Sequence, residues 1–293
     1  MKRRITICLI VLAITITSFP LPVSAASKTK SRYMPTEYYV KYKYAHDGVS
    51  AEYARLKYNK YGLVTKMTIT SYDEDGNKSD YISTDTFKYT YYKNKNVKTI
   101  AALRGDNKEA DFIMYFNKYG AMTKVKWGSY QPVNIKGKAA YYSGTHKIKN
   151  LETSYKEEYS GAIIKSQFRF NKAGYLTKRS RSDGNTKYTY DKKGRLTKKS
   201  YKDDAGFTSV SKYKYTFKNG RVASRKLYYT EKRDGETSTI GPFSTITVKK
   251  WKKVSVNESR LRAGRCMAAV YCGLIDDEYF ADTLIPTFVF EWK

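Results

Sequence analysis

Gly184-Asn185-Thr186-Lys187-Tyr188-Thr189-Tyr190-Asp191-Lys192-Lys193-Gly194-Arg195-Leu196-Thr197 is the stretch that decides the fold. Tyr188 and Tyr190 alternate with polar residues, the period of a strand with one buried face. Asp191-Lys192-Lys193-Gly194 then reads as a type I turn closed by a left-handed glycine. An aspartate in first position bonds the turn backbone, and glycine takes positive φ without a Cβ clash. That register sets Asp191 opposite Arg195 and Tyr190 opposite Leu196, an aromatic–aliphatic cross-strand pair.

The unit recurs at Tyr58–Lys66, Phe116–Lys124 and Phe170–Lys178, each an aromatic-Asn-Lys-x-Gly turn followed by an aliphatic residue, Thr and Lys. The same register pairs Tyr58 with Val64, Phe116 with Met122 and Phe170 with Leu176. A shorter Asn219-Gly220 turn pairs Phe217 with Val222, so two turn lengths preserve one pairing. Tyr92 to Val97 is a degenerate copy whose register conflicts with the parity of Phe87, Tyr89 and Tyr91. Asp73-Glu74-Asp75-Gly76-Asn77 and Gly105-Asp106-Asn107 form a second turn class that alternates with the first.

The wording Tyr-x-Tyr-Asp-x-x-Gly-Arg-Leu-Thr over residues 184–197 resembles the YD repeat of bacterial Rhs-type surface and toxin proteins. The likeness is close there and loose in the other copies, most of which lack the Arg after the Gly. It implies an antiparallel meander that curves into a shell, and a surface location. No core-end motif followed by a toxin domain is seen.

The resulting expectation is an all-β fold: an antiparallel meander of β-hairpins forming a large curved sheet, open half-shell or barrel-like, with a small C-terminal helix-plus-strand element. Lys2, Arg3 and Arg4 before the apolar run Ile5 to Ser18, with Val23-Ser24-Ala25 after it, read as a signal peptide over residues 1–26. Residues 27–36 read as a flexible leader, 37–256 as the repeat domain and 257–293 as a C-terminal cap. Within 127–164 the rhythm breaks, and Leu151 to Tyr159 suits either a strand or a short helix. Asn257 suits a helix cap. Cys266 and Cys272 suit a disulfide only if a turn lies between them, since residues six apart on a regular element are too distant.

The chain of 293 residues has a formal net charge of +29, far beyond what solubility requires. Its 30 Tyr and 12 Phe supply apolar surface that a disordered chain lacks. Residues 165–226 are the most basic part, with nineteen Lys and Arg against four Asp and Glu. Taken at period two, Arg195 and Lys199 share the face opposite Leu196, and Arg179 and Arg181 extend it if the strands pair in meander order. With Lys192, Lys193, Lys249 and Lys250 they are the candidate polyanion contacts, the last two flanking Trp251.

Two histidines, His46 and His146, give no zinc spacing. Asp73 to Asn77 lacks the rest of a calcium loop. No Gly-x-Ser-x-Gly, P-loop or dinucleotide fingerprint appears, and no pair of carboxylates stands out. Neither metal nor cofactor is implied. The reading is a secreted, non-enzymatic β-repeat protein, held at the cell surface without a covalent anchor or membrane span, that binds an anionic envelope polymer such as teichoic acid or an acidic glycan. Nucleic acid is engaged only non-specifically. Two alternatives remain, a shell or accessory part of an Rhs-like toxin system and an unrecognised hydrolase.

Overall fold

A computed structural model describes residues 30–46, 48–127, 133–157, 160–257, and 260, 261, 263, 264 and 266. Sixteen strands run in chain order among these residues. They are β1 (Lys30–His46), β2 (Val49–Tyr58), β3 (Val64–Tyr72), β4 (Lys78–Tyr91), β5 (Val97–Arg104), β6 (Phe112–Phe116), β7 (Met122–Trp127) and β8 (Val133–Tyr141), then β9 (Ile148–Lys156), β10 (Ile163–Phe170), β11 (Leu176–Arg181), β12 (Gly184–Tyr190), β13 (Leu196–Lys202), β14 (Thr208–Lys218), β15 (Arg221–Arg233) and β16 (Glu236–Val256). Each pairs antiparallel with its sequence neighbours, and β1 pairs with β16. The meander therefore closes into a barrel, which removes both sheet edges.

The seam corrects one boundary. β1 starts at Lys30, opposite Val256, and Met34 is 3% exposed. Most of the expected leader is thus a paired strand, because β16 offers a backbone for it to zip onto. Residues 1–26 lie outside the described residues.

Tyr58 faces Val64, Phe116 faces Met122, Phe170 faces Leu176, Tyr190 faces Leu196 and Phe217 faces Val222. The turns share one bonding scheme. Asn59 N–H donates to Leu63 O and Gly62 N–H to Asn59 O, and the same pair recurs at Asn117, Asn171 and Asp191. The first side chain accepts twice more: Asn59 Oδ1 takes the N–H of Tyr61 and Leu63. This explains why Asn or Asp opens each unit.

The Thr of each unit also has a reason. In the four long copies the register shifts by one residue just after the aliphatic. The Thr is the extra residue, and its hydroxyl donates across the pair: Thr65 to Lys57 O, Thr123 to Tyr115 O, Thr177 to Arg169 O and Thr197 to Thr189 O. The bulge reverses the inside–outside parity of the rest of the strand.

The degenerate copy obeys the same scheme one residue earlier than expected. Tyr91, not Tyr92, pairs with Val97, Tyr92 takes the Asn place, and Lys95 sits at φ 63 in the glycine place. That shift removes the parity conflict with Phe87 and Tyr89. The expected break at 127–164 also holds a hidden copy: Tyr141 pairs with Ile148 across a longer turn, and Ile148–Lys156 is strand.

The core lies inside the barrel. Ala54, Leu56, Met67, Ile100, Met114, Val125, Leu151 and Phe168 are among its fully or nearly fully buried members. Arg260, Leu261, Ala263, Gly264 and Cys266 are helical. Leu261, Ala263 and Cys266 join that core, and the N–H groups of Arg260 and Leu261 donate to Asn257 O. Arg260 Nε donates to Lys95 O at 2.8 Å, and its guanidinium lies 3.7 Å from the Tyr61 ring centroid. The helical segment therefore crosses the end of the barrel that carries the repeat turns. Cys266 is buried and free among the described residues. A helix packed on the core places its side chain against Ile148 and Phe170. Cys272 and the expected strand Thr287 to Trp292 lie outside the described residues.

Gly62, in the β2–β3 turn, packs against the end of the seam at Val256. Its φ is +80, and a Cβ there would stand 2.9 Å from Val256 Cγ2. Gly76 has φ +81 with open space around it. Gly76→Ala should cost about 1–2 kcal/mol of left-handed strain, and Gly62→Ala should cost measurably more. Urea midpoints of the two variants check this, and equal losses would contradict the packed seam.

Candidate polyanion interface

A meander sends alternate turns to opposite ends, and the two ends differ in charge. The repeat turns lie at one rim with Lys30 and Val256. They present Lys60, Lys93, Lys95, Lys118, Lys147, Lys172, Lys192 and Lys193. Among the described residues the acid in these turns is Asp191. The connections at the other rim hold Asp73, Glu74, Asp75, Asp106, Glu109, Asp111, Asp183, Asp203, Asp204 and Asp234. Among the described residues their base is Lys108. The protein is thus electrically polar along the barrel axis.

The predicted face of Arg179, Arg181 and Lys199 is not on the outside. Arg179 pairs with Phe168, which is fully buried, and with Thr186, which is 1% exposed. Cross-strand partners share a face, so Arg179 points inward, and Arg181 two residues on does the same. Lys199 pairs with Tyr188 and with Ser211, which is 5% exposed. The physical cause is the bulge at Thr177 and Thr197. Counting at period two from Leu176 or Leu196 assigns the wrong side to every later residue.

The outward residues are the neighbours of the predicted ones. Arg169 stands opposite Lys178, and Lys178 opposite Lys187, a cationic row across β10, β11 and β12. Lys198 opposes Lys212, and Lys214 opposes Lys226. Arg169, Lys187, Lys198, Lys212, Lys214 and Lys226 are exposed and Lys178 is half-buried. None forms an ion pair among the described residues. Directly opposed like charges oppose folding by about 0.2–1 kcal/mol per pair. Sequence reading at a constant period misses these rows. The repeated Thr after each aliphatic was the signal that would have found them.

The other predicted residues divide. Lys192 and Lys193 are exposed at a turn tip, and Lys249 and Lys250 are exposed on β16. Lys250 Nζ is 3.4 Å from Glu37 Oε1, and Lys249 lies over the Tyr39 ring. Arg195 is engaged at home. It pairs with Asp191 and lies 5.5 Å from the Tyr215 and 4.6 Å from the Phe217 ring centroid.

Two carboxylates from different elements flank Arg104. Arg104 Nε is 3.9 Å from both Asp85 and Asp111. Burial pushes the Asp85 carboxyl above its ordinary range, and Arg104 opposes that shift. Glu52 is likewise raised by burial while accepting from Tyr42 OH. A guanidinium lodged between two acids is an ion triad. Burial pushes the Cys266 thiol up to about 12, which removes it as a nucleophile near neutral pH.

No protein-family model matches the chain, and no curated protein matches it in sequence. A porin-like protein from Bacteroides uniformis is similar in structure at TM-score 0.50 and 14% identity, covering 75% of this chain and 96% of that one. A TcdB2-TccC3-Cdc42 structure matches at TM-score 0.24 and 11% identity, and a TcdB2-TccC3-TEV structure at 0.21 and 8%. The chain spans only 12% and 18% of those two. The first likeness is one of fold alone, and the other two are too distant to carry argument.

Asp191 yields a pH prediction. Burial raises its carboxyl, but N–H donation from Arg195 and Lys193 and the Arg195 guanidinium outweigh that and hold it below its ordinary range. A depressed folded value gives stability that is present above the unfolded pKa of about 3.9 and is lost as pH falls through the folded one. The stability gap between wild type and Asp191→Asn should be largest near neutral pH and narrow below about pH 4. Urea midpoints across that range measure it, and a constant gap would refute it.

Proposed function

We propose that this is a secreted, non-enzymatic protein that binds a repeating anionic polymer of the cell envelope, a teichoic acid or acidic glycan, on the outside of its barrel wall. The observation that carries this reading is the set of opposed outward cations: Arg169–Lys178–Lys187, Lys198–Lys212 and Lys214–Lys226. Each pair costs folding energy as it stands, and a polyanion lying across the strands converts that repulsion into attraction. Binding is multivalent, and its driving force is counterion release. Tyr228 beneath Lys214, at 4.8 Å from Nζ to ring centroid, adds a flat face beside a charge, which suits a sugar ring. The lysine rim extends the same surface toward one end.

A membrane pore is the reading that the porin-like fold invites. The wall argues against it. Lysines at mid-strand on the outer face would each meet hydrocarbon, at about 2–4 kcal/mol near a bilayer midplane. The inner face carries the apolar core, the inverse of a water-filled barrel. The YD wording of residues 184–197 favours a second reading, an accessory part of an Rhs-like system, for which a linked toxin or immunity gene is the expected sign.

Retention on purified wall polymer should fall steeply with salt and be lost near 1 M, where the Debye length is about 3 Å. Reversal of the outer row, Lys178→Glu with Lys187→Glu and Lys212→Glu, should weaken retention at least tenfold and flatten its salt dependence. Neutralising the inner Arg179 and Lys199 to Gln should leave retention unchanged. Retention that persists in 1 M salt, or that follows the inner pair, sinks the proposal.

A further inference from the structure

A groove opens on the outer wall beside the cationic rows. Lys138, Ala140, Asn150, Glu152, Gln167 and Arg169 stand around it on β8, β9 and β10, and its volume is about 210 Å³. Register explains the set. Ala140 opposes Asn150, and Asn150 opposes Arg169. Lys138 opposes Glu152, and Glu152 opposes Gln167. Leu151 and Phe168, which lie between the two rows, are fully buried, so both rows face out. The first row runs on from Arg169 to Lys178 and Lys187. The groove therefore continues the cationic row at the point where long basic side chains give way to Asn150 and the short Ala140.

The chemistry changes along with the shape. Among the described residues Glu152 is the single acid in the strands β8 to β14. A carboxylate repels phosphate and other anions, so it does not belong in a site for negative charge alone. Asn150 and Gln167 each offer an NH2 donor and a carbonyl acceptor, and Lys138 and Arg169 offer donors. Among the described residues no hydrogen bond or ion pair engages the side chains of Lys138, Asn150, Glu152, Gln167 or Arg169. Donors and acceptors stand together there, all of them open. An anionic oxygen only accepts, whereas every sugar hydroxyl both donates and accepts. The lining matches the second. Size agrees, since drug-sized ligands fill about 300–1,000 Å³ and a groove of about 210 Å³ suits one small ring.

We propose that this groove is a sugar subsite. It takes one neutral pyranose of the polymer, whose hydroxyls bond to Asn150, Glu152 and Gln167, while Arg169 and Lys178 hold the neighbouring anionic group. The two functions lie one to two strand spacings apart, about 5–10 Å, within reach of adjacent units of one polymer chain. That assignment rests on the polymer reading and sharpens it: the ligand class becomes an anionic polymer that carries sugar, not a bare polyphosphate. Ala140 is the residue that keeps the groove open.

Poly(glycerol phosphate) in three forms, bare, glucosylated and bearing N-acetylglucosamine, tests it on the full-length protein. Wild type should bind one of the sugar-bearing forms at least fivefold more tightly than the bare one. Ala140→Tyr fills the groove without changing charge, and tyrosine suits an exposed strand position. It should bring that ratio near one and leave binding of the bare polymer unchanged. Charge reversal at Lys178, Lys187 and Lys212 should weaken all three forms and keep the ratio. A second arm uses no charge at all. The methyl glycosides of glucose and N-acetylglucosamine, added separately at millimolar concentration, should shift the side-chain amide NMR signals of Asn150 and Gln167 in wild type and not in Ala140→Tyr. Equal affinity for the three polymers without amide shifts overturns the subsite and leaves the polymer reading standing, as does a preference that survives Ala140→Tyr. Amide shifts in a protein that retains no polymer uphold the groove as a sugar site and sink the polymer reading instead.

Discussion

A single inserted threonine governs which way the side chains of this barrel point. At Thr65, Thr123, Thr177 and Thr197 the strand gains one residue against its partner, and the hydroxyl caps the carbonyl left across the gap. The glycine turn alone would deliver a regular hairpin. Turn and bulge together put the aromatic, the aliphatic and the third residue beyond it on one face, with Thr and Lys turned away. The inward triplet builds the core, and the Lys builds the outer wall. The side taken by the strand charges that follow these turns depends on that offset.

A second recurrent contact joins one hairpin to the next. Tyrosine hydroxyls donate to carbonyls on the adjacent strand or turn: Tyr89 to Val64, Tyr92 to Phe116, Tyr142 to Phe170, Tyr190 to Leu176 and Tyr215 to Leu196. Tyr58 does the same to Pro35, beside the closing seam. Asn59 and Asn117 donate in turn to Tyr91 and Tyr141. Each bond contributes about 0.5–1.5 kcal/mol net, and each answers a polar group that the crowded rim would otherwise leave dry. The abundance of tyrosine over phenylalanine follows. A ring that must fill the core and also satisfy a backbone group needs both an apolar body and a polar tip.

Local chemistry was the part of this architecture that the sequence made legible. Turn residues and the five ring–aliphatic pairs are fixed within about ten residues of chain, and alternation and turn propensity act on that scale. The side of the sheet was not legible for Arg179, Arg181 and Lys199, because a bulge leaves no mark in a period-two count except the threonine that occupies it. Closure was not legible either. It depends on β1 meeting β16, a contact between the two ends of the repeat domain that no turn encodes. The register of the Tyr91–Val97 copy and the whole of the Tyr141–Ile148 copy escaped for a third reason. Their turns replace Asn and Gly with Tyr92 and Lys95, or lengthen the loop, so geometry persists where the wording is lost.

Charge is therefore sorted three ways, and each placement has its own energetics. Outward lysines keep their hydration, so their mutual repulsion is small per pair and screened beyond about 8 Å at physiological salt. They are the charges a polymer can reach. Rim charges sit on turns, where Asn-Lys and Asp-Gly are favoured for backbone reasons, so the axial polarity arises from turn chemistry at no cost to packing. The inner cations differ in kind. Arg179, Lys199 and Arg225 stand where the earlier copies place Met67 and Val125, and Arg225 lies 4.9 Å from the Tyr213 ring centroid. A protein already carrying +29 gains nothing in solubility from placing more positive charge inside.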